Sequence, residues 1–255
     1  MYFNLRRKKK VLEQVGCGIQ QVKSLVTYVS DTFNKQISCS TLKRLLREAD
    51  YIWKRMKHSL KDTRNELDFR YFQEELQRLR ALELQGEIDL FYFDETGINL
   101  TPSIPYAWIP KGVRSLLPCT KSKNINILGF MNQDNKLYSY AFEGAATSEV
   151  VIKCMDDFCD QITKKTVVVL DNAAIHKSNA VKSKMKEWKE KGLWLQFIPA
   201  YCPELNLIEL LWKQLKYKWT KKEHYTSFEK LWESVCEILE NVGEKYRINF
   251  KALIR

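Results

Sequence analysis

Three acidic residues stand in settings that suit metal-dependent phosphoryl transfer. Asp94 follows the apolar run Leu90-Phe91-Tyr92-Phe93, and Asp171 follows Val167-Val168-Val169-Leu170. Glu209 lies in Pro203-Glu204-Leu205-Asn206-Leu207-Ile208-Glu209, where a helical pattern opens. Both apolar runs read as strands, so each aspartate is expected at a strand end, on the rim of a sheet. If the two strands are neighbours, the carboxylates converge and raise one another's pKa unless a cation is present. Magnesium takes hard oxygen ligands, and two ions can clamp the attacking and leaving oxygens of an in-line displacement. The expected cofactor is therefore Mg²⁺, two ions per site, with Mn²⁺ able to substitute because both suit carboxylates.

Each residue also has a plainer reading. An aspartate often ends a strand as a turn residue, and Glu209 with Lys213 could be an exposed i,i+4 pair worth about 0.2–0.5 kcal/mol. The three settings together favour the metal. Lys213 and Lys216 would then meet phosphates. Glu95 and Asn172 are candidates to support the ligands, and so is His176, which could orient a phosphate or water or could shape its own loop. Glu204 rivals Glu209, but acidic residues are favoured in a first helical turn anyway. The three histidines, His58, His176 and His224, give no basis for a zinc site. No Gly-rich phosphate loop is present, and no Ser or Cys nucleophile has a base beside it in sequence.

The elements that must position these groups divide in two. Residues 20–34 read as a helix with Val22, Leu25, Val26, Val29 and Phe33 on one face. After the turn Asn34-Lys35-Gln36-Ile37, Ser38 or Ser40 can cap a second helix, Thr41 to Ala49. Its polar side carries Lys43, Arg44 and Arg47, the form of a helix-turn-helix. Tyr51 to Leu60, with Lys54, Arg55, Lys57 and His58, would form a wing or strand on a phosphate backbone. Residues 63–85 read as an amphipathic connector helix with Leu67, Phe72, Leu76, Leu79 and Leu82, which could also dimerise. Beyond residue 87 the pattern becomes strands at Ile88–Phe93, Asn124–Met131 and Lys136–Phe142, with a hairpin around Pro110-Lys111-Gly112. Then follow a helix (Ser148–Ile162), a strand (Thr166–Leu170), a helix (Ser178–Lys191), a strand (Leu193–Ile198), and helices at Pro203–Lys218 and Ser227–Val242. The order is that of a mixed α/β layer fold.

Charge falls into the same two parts. Net charge is +11, yet residues 1–61 hold 14 Lys+Arg against 4 Asp+Glu, and residues 62–255 hold 28 against 27. A basic segment before a near-neutral body suggests a nucleic-acid-binding module joined to something else. No apolar stretch approaches the roughly 20 residues of a membrane span, and no secretory signal pattern follows Met1. The seven cysteines include no C-x-x-C pair, so free thiols in a reducing cytoplasm are expected.

Three segments carry a family resemblance: Phe93-Asp94-Glu95-Thr96-Gly97, Leu170-Asp171-Asn172-Ala173-Ala174-Ile175-His176, and the long run from Tyr201 to Lys216. They resemble the DDE transposases of the mariner superfamily, in its bacterial insertion-sequence branch. Trp108 with Gly112 is similar to that family's segment after the first aspartate, and Ser40-Thr41-Leu42 with Arg44 and Leu46 is more loosely similar to its second helix-turn-helix. The resemblance implies an RNase H-like sheet flanked by helices over residues 87–222. Around it would stand a winged-helix-like domain at 1–61, a connector at 62–86 and a C-terminal helical segment at 223–255. It implies Asp94, Asp171 and Glu209 as the metal triad, with 76 and 37 residues between successive members. The implied reaction is nicking of double-stranded DNA at the terminal inverted repeats of an element. Attack of the freed 3′-hydroxyl on target DNA, usually at TA, would follow, within a homodimeric synaptic complex on the bacterial nucleoid.

Two departures accompany it. About 86 residues precede the catalytic segment, enough for one helix-turn-helix unit where the family usually has two. This points to a truncated copy, or to a second reading frame that needs an upstream-frame protein. Leu207 stands where the family commonly has proline. The competing readings are a catalytically silent DNA-binding derivative and a general RNase H-like nuclease.

Overall fold

The computed structural model describes residues 5–16, 21–52, 63–101 and 123–250. The chain divides into two compact units, Met1–Ser59 and Leu60–Arg255.

The first unit holds α1 (Leu5–Gly16), α2 (Val22–Phe33) and α3 (Cys39–Glu48). Val11 of α1, Leu25 and Val29 of α2, and Leu42 and Leu45 of α3 form its small core. The sequence reading contains only α2 and α3; the basic run Arg6 to Lys10 obscures the apolar face that α1 presents through Val11. Asn34 closes α2 in the left-handed region at φ 49°, where Asn is among the few residues at ease. Of the two candidate caps, Ser38 is the one used: its hydroxyl accepts the Thr41 N–H at 3.2 Å. Lys43, Arg44 and Arg47 are exposed on α3. The expected wing, with Lys54, Arg55, Lys57 and His58, lies outside the described residues, as does the hairpin around Gly112.

The second unit is built on a five-stranded sheet in the order β3-β2-β1-β4-β5. Its strands are β1 (Asp89–Ile98), β2 (Ile125–Met131), β3 (Leu137–Glu143), β4 (Thr166–Leu170) and β5 (Leu193–Phe197). The first three pair antiparallel, while β4 runs parallel to β1 and β5 parallel to β4. Helices α4 (Glu66–Leu84), α7 (Ile208–Gln214) and α8 (Phe228–Glu240) cover one face, packing on Leu90, Tyr92, Ile127 and Val169. Helices α5 (Ser148–Gln161) and α6 (Asn179–Glu190) cover the other, packing on Phe91, Phe93, Leu128 and Val168. Successive side chains of a strand point to opposite faces, so β1 sends Leu90, Tyr92, Asp94, Thr96 and Ile98 toward α7 and sends Phe91, Phe93 and Glu95 toward α5.

Three expectations are corrected. Asp94 does not end its strand: β1 runs on to Ile98 because Thr96 and Ile98 continue the inward alternation and pair with Ile127 and Ile125 of β2. Leu67 does not belong to the buried stripe of α4 and is 77% exposed. The Asn65 side chain caps the helix by accepting from Leu67 N and Asp68 N, and that start turns Phe69, Phe72 and Leu79 inward instead. Pro203–Lys218 is not one helix. A short 3₁₀ turn, Pro203–Leu205, stops at Asn206; α7 follows, and a π-turn, Leu215–Trp219, ends the segment. Asn206 breaks the helix because its buried amide donates across to the Phe93 carbonyl at 2.9 Å.

Candidate functional site

The parallel register pairs Asp89 to Tyr92 with Thr166 to Val169. Two steps further on, Asp94 and Asp171 stand level, one inside the longer β1 and one just past the end of β4. The run Thr166–Leu170 is wholly buried, as suits an interior strand between β1 and β5. Asp94 is only 9% exposed, and its Oδ2 accepts the Trp212 Nε1–H at 3.0 Å. Glu209, one turn before Trp212 on α7, lies at the exposed edge of that helix, because Ile208, Leu211 and Trp212 take the buried face.

Asp94 and Glu209 open on one cleft of about 380 Å³, lined also by Glu95, Thr96, Trp212, Lys213, Lys216 and Tyr217. Burial, then the negative charges of Glu209, Glu95 and Asp171, push the Asp94 carboxyl up to about 8. Glu209 is raised as well, by desolvation and by Asp171 and Glu95, with Lys216 pulling the other way. Lys216 is held below the usual lysine range by its own partial burial, against the pull of Glu209 and Asp94.

The Asp171 carboxylate faces its own loop. Its Oδ1 accepts the Ala173 N–H at 2.9 Å and lies 2.7 Å from His176 Nδ1. His176 is fully buried, and its Nε2 is 3.2 Å from Glu95 Oε2, so the ring joins the loop after β4 to the opposite face of β1. Burial alone would lower the imidazole pKa, but the bonds to Asp171 and Glu95 outweigh it and bring it up to about 9. The same contact with His176 holds Asp171 below the usual carboxylate range. Asn172 is turned away from the cleft and donates to the Ile198 carbonyl.

The donor set suits a hard divalent cation: burial and neighbouring carboxylates raise Asp94 and Glu209, and a 2+ charge would bring both back to the ionised form. The cleft gathers Asp94, Glu95, Glu209, Lys213 and Lys216 of the predicted residues. It leaves Asp171 beside it, held by His176, and among the described residues no three such side chains are close enough together to hold an ion. Lys43, Arg44 and Arg47 belong to the first unit. Glu204 is not among the residues lining the cleft, and its Oε1 is 2.5 Å from Arg64 Nη1. Trp212 lies in the apolar stripe as expected but also bonds Asp94, and Asn206 ties the segment to β1, two roles the sequence does not display directly. A polar residue set between Leu205 and Leu207 is the sequence signal for the second.

Known proteins share this architecture. The chain is 24% identical over 224 residues to the insertion element IS630 uncharacterized 39 kDa protein of Shigella sonnei, a match over 86% of this chain and 63% of that protein. This chain thus spans less than two thirds of the relative's length. The fold resembles the Mos1 strand transfer complex, with TM-score 0.63 at 14% identity over 94% of this chain and 71% of that one. It also resembles the Mos1 mariner paired-end complex with Mn, with TM-score 0.62 at 14% identity over 96% and 74%. Residues 89–232, more than half of the chain, match the family described as DDE superfamily endonuclease, and the chain belongs to that family.

Proposed function

We propose that the chain is a DNA transposase that cuts double-stranded DNA at the ends of an element and joins the freed 3′-hydroxyl to target DNA. The observation that carries this reading is the shared cleft of Asp94 and Glu209, with Asp171 level with Asp94 across the β1–β4 register. The Mos1 complexes with strand-transfer and paired-end DNA and with Mn support it by analogy of fold. Asp94, Asp171 and Glu209 would hold divalent ions, Mg²⁺ or Mn²⁺, two in the full reading. Bound there, the ions would polarise the scissile phosphate and stabilise the attacking and leaving oxygens.

The chain's own residues do the rest. Lys213 and Lys216 flank the cleft and would take the phosphates on either side of the cut. Glu95 and His176 hold the loop that carries Asp171. Lys43, Arg44 and Arg47 present a cationic helix face to DNA phosphates and base edges. Each strand step balances as an in-line exchange at phosphorus. A P–O bond to water or to the 3′-hydroxyl forms, the bond to the departing strand breaks, and the proton of the attacking group passes to solvent. Insertion at TA and action as a homodimer complete the reading.

The test is cleavage of labelled element-end duplex with and without Mg²⁺, beside Glu209→Gln. Metal-dependent cutting lost in the variant supports the reading. A second reading, DNA binding without cleavage, draws on the engagement of Asp171 by His176. It predicts salt-sensitive binding and no cutting in any divalent metal.

A further inference from the structure

Asp94 pairs directly with Gly129 of β2 across the antiparallel register, so both look to the same face of the sheet. A glycine inside a strand often marks a close approach by another group. Here that group is the Trp212 ring. A methyl group at Gly129 would stand 3.0 Å from Trp212 Cη2 and 3.2 Å from Ile208 Cδ1. The missing side chain thus lets α7 settle onto β2, with the indole edge over the backbone. From that seat Nε1, the only donor tryptophan has, reaches Asp94 Oδ2 at 3.0 Å. Trp212 is 3% exposed, so the bond is shielded from water. Trp212 is also three residues after Glu209, which ties the helix bearing one carboxylate to the strand bearing another.

Resting on the metal-site reading above, we infer that Trp212, seated by Gly129, is a positioning residue that fixes the Asp94 carboxylate toward the cleft for a divalent ion. A buried anion costs free energy unless it is hydrogen-bonded, and a charged acceptor makes this one of the stronger hydrogen bonds. The indole, beside the Glu95 backbone N–H that the same carboxyl accepts, supports the ionised carboxylate and limits its rotation at the edge of the cleft. A phenylalanine would fill most of the space and do neither.

The experiment is Mn²⁺ titration of the full chain without DNA, following the spin-resonance signal of the free ion, with folding checked by circular dichroism. The variants are Trp212→Phe, Gly129→Ala and, as control, Trp219→Phe, whose ring packs on Tyr246 at 5.2 Å between centroids. The expected result is a loss of about 10–100-fold in Mn²⁺ affinity for Trp212→Phe. Gly129→Ala, which displaces the ring but removes no donor, should lose affinity in the same direction, and Trp219→Phe should match the parent. Folded Trp212→Phe with parental affinity would overturn the inference. Should that variant not fold, parental affinity in Gly129→Ala overturns it instead. If the parent binds no Mn²⁺, the metal-site reading falls and takes this inference with it; if the parent and all variants bind alike, only this inference falls.

Discussion

His176 Nδ1 lies 2.7 Å from Asp171 Oδ1, with the imidazole sealed from solvent and its other nitrogen 3.2 Å from Glu95. One ring therefore joins the loop after β4 to the strand that carries Asp94. His176→Ala removes the shared partner of two carboxylates. We expect a loss of about 1–3 kcal/mol in chemical denaturation, at the lower end because Asp171 is half exposed and its pairing is screened. DNA cleavage should fall about 10–100-fold, as when other groups that orient metal ligands are removed. Denaturation parallel to the parent would show that the network adds nothing.

The same geometry sets how the metal-free protein responds to pH. The His176 pKa is raised from 6.5 to about 9, so its stabilisation is fully present below about 6.5 and is lost as pH rises through 9. Asp94 acts in the same direction. Its pKa is raised from 3.8 to about 8, so above 3.8 the unfolded chain gives up a proton that the folded chain keeps, and stability falls until pH 8. Melting midpoints in chelator should decline from pH 6 to 9. Mg²⁺ should raise the midpoint most at the alkaline end. Asp94→Asn, which keeps an oxygen to accept from Trp212, should raise the metal-free midpoint and abolish the Mg²⁺ gain. A metal-free midpoint that rises with pH would contradict this.

The strands were legible where burial is simple. Thr166–Leu170 is three valines between a threonine and a leucine, all buried because β4 is covered on both faces, and its sequence admits little else. The end of β1 was not legible. Asp94 and Glu95 break the apolar run, yet each is turned to a different face and meets a partner there: Trp212 on one side, His176 on the other. Those partners lie 118 and 81 positions away in sequence, and no local pattern reports them. The break at Asn206 was hidden for the same reason, since its cause is the Phe93 carbonyl on another element. Asp94 and Glu209 could be brought to one cleft from their settings alone. That Asp171 would face His176 rather than the cleft could not, because it depends on the loop's own hydrogen bonds.

Glu204 and Glu209 are separable by experiment. Arg64 stacks over the Phe69 ring at 3.8 Å and contacts both Glu66 and Glu204, so Glu204 is part of a surface ion network at the start of α4. Glu204→Gln should leave Mn²⁺ affinity and DNA cleavage at parental levels. Glu209→Gln should lower both. Equal loss in the two variants would show that the third carboxylate has been misassigned.

The exposed cations of α3 should register in salt dependence. If Lys43 and Arg47 each meet a phosphate, Lys43→Ala and Arg47→Ala should each reduce the slope of log affinity against log salt by about 1. A variant that relaxes sequence preference with an unchanged slope would place that residue on a base edge instead. No change in affinity or slope for either would remove α3 from the DNA interface.

If Asp94, Asp171 and Glu209 work as one metal-dependent centre, Asp171 is the decisive residue, because it stands outside the cleft shared by the other two. The measurement is single-turnover cleavage of labelled element-end DNA in Mg²⁺ by Asp171→Asn, with DNA binding measured on the same preparation. Parental DNA binding is expected, with strand cleavage reduced by at least about 10²-fold, about 2.7 kcal/mol of transition-state stabilisation. Cleavage by Asp171→Asn at the parental rate would contradict a single centre.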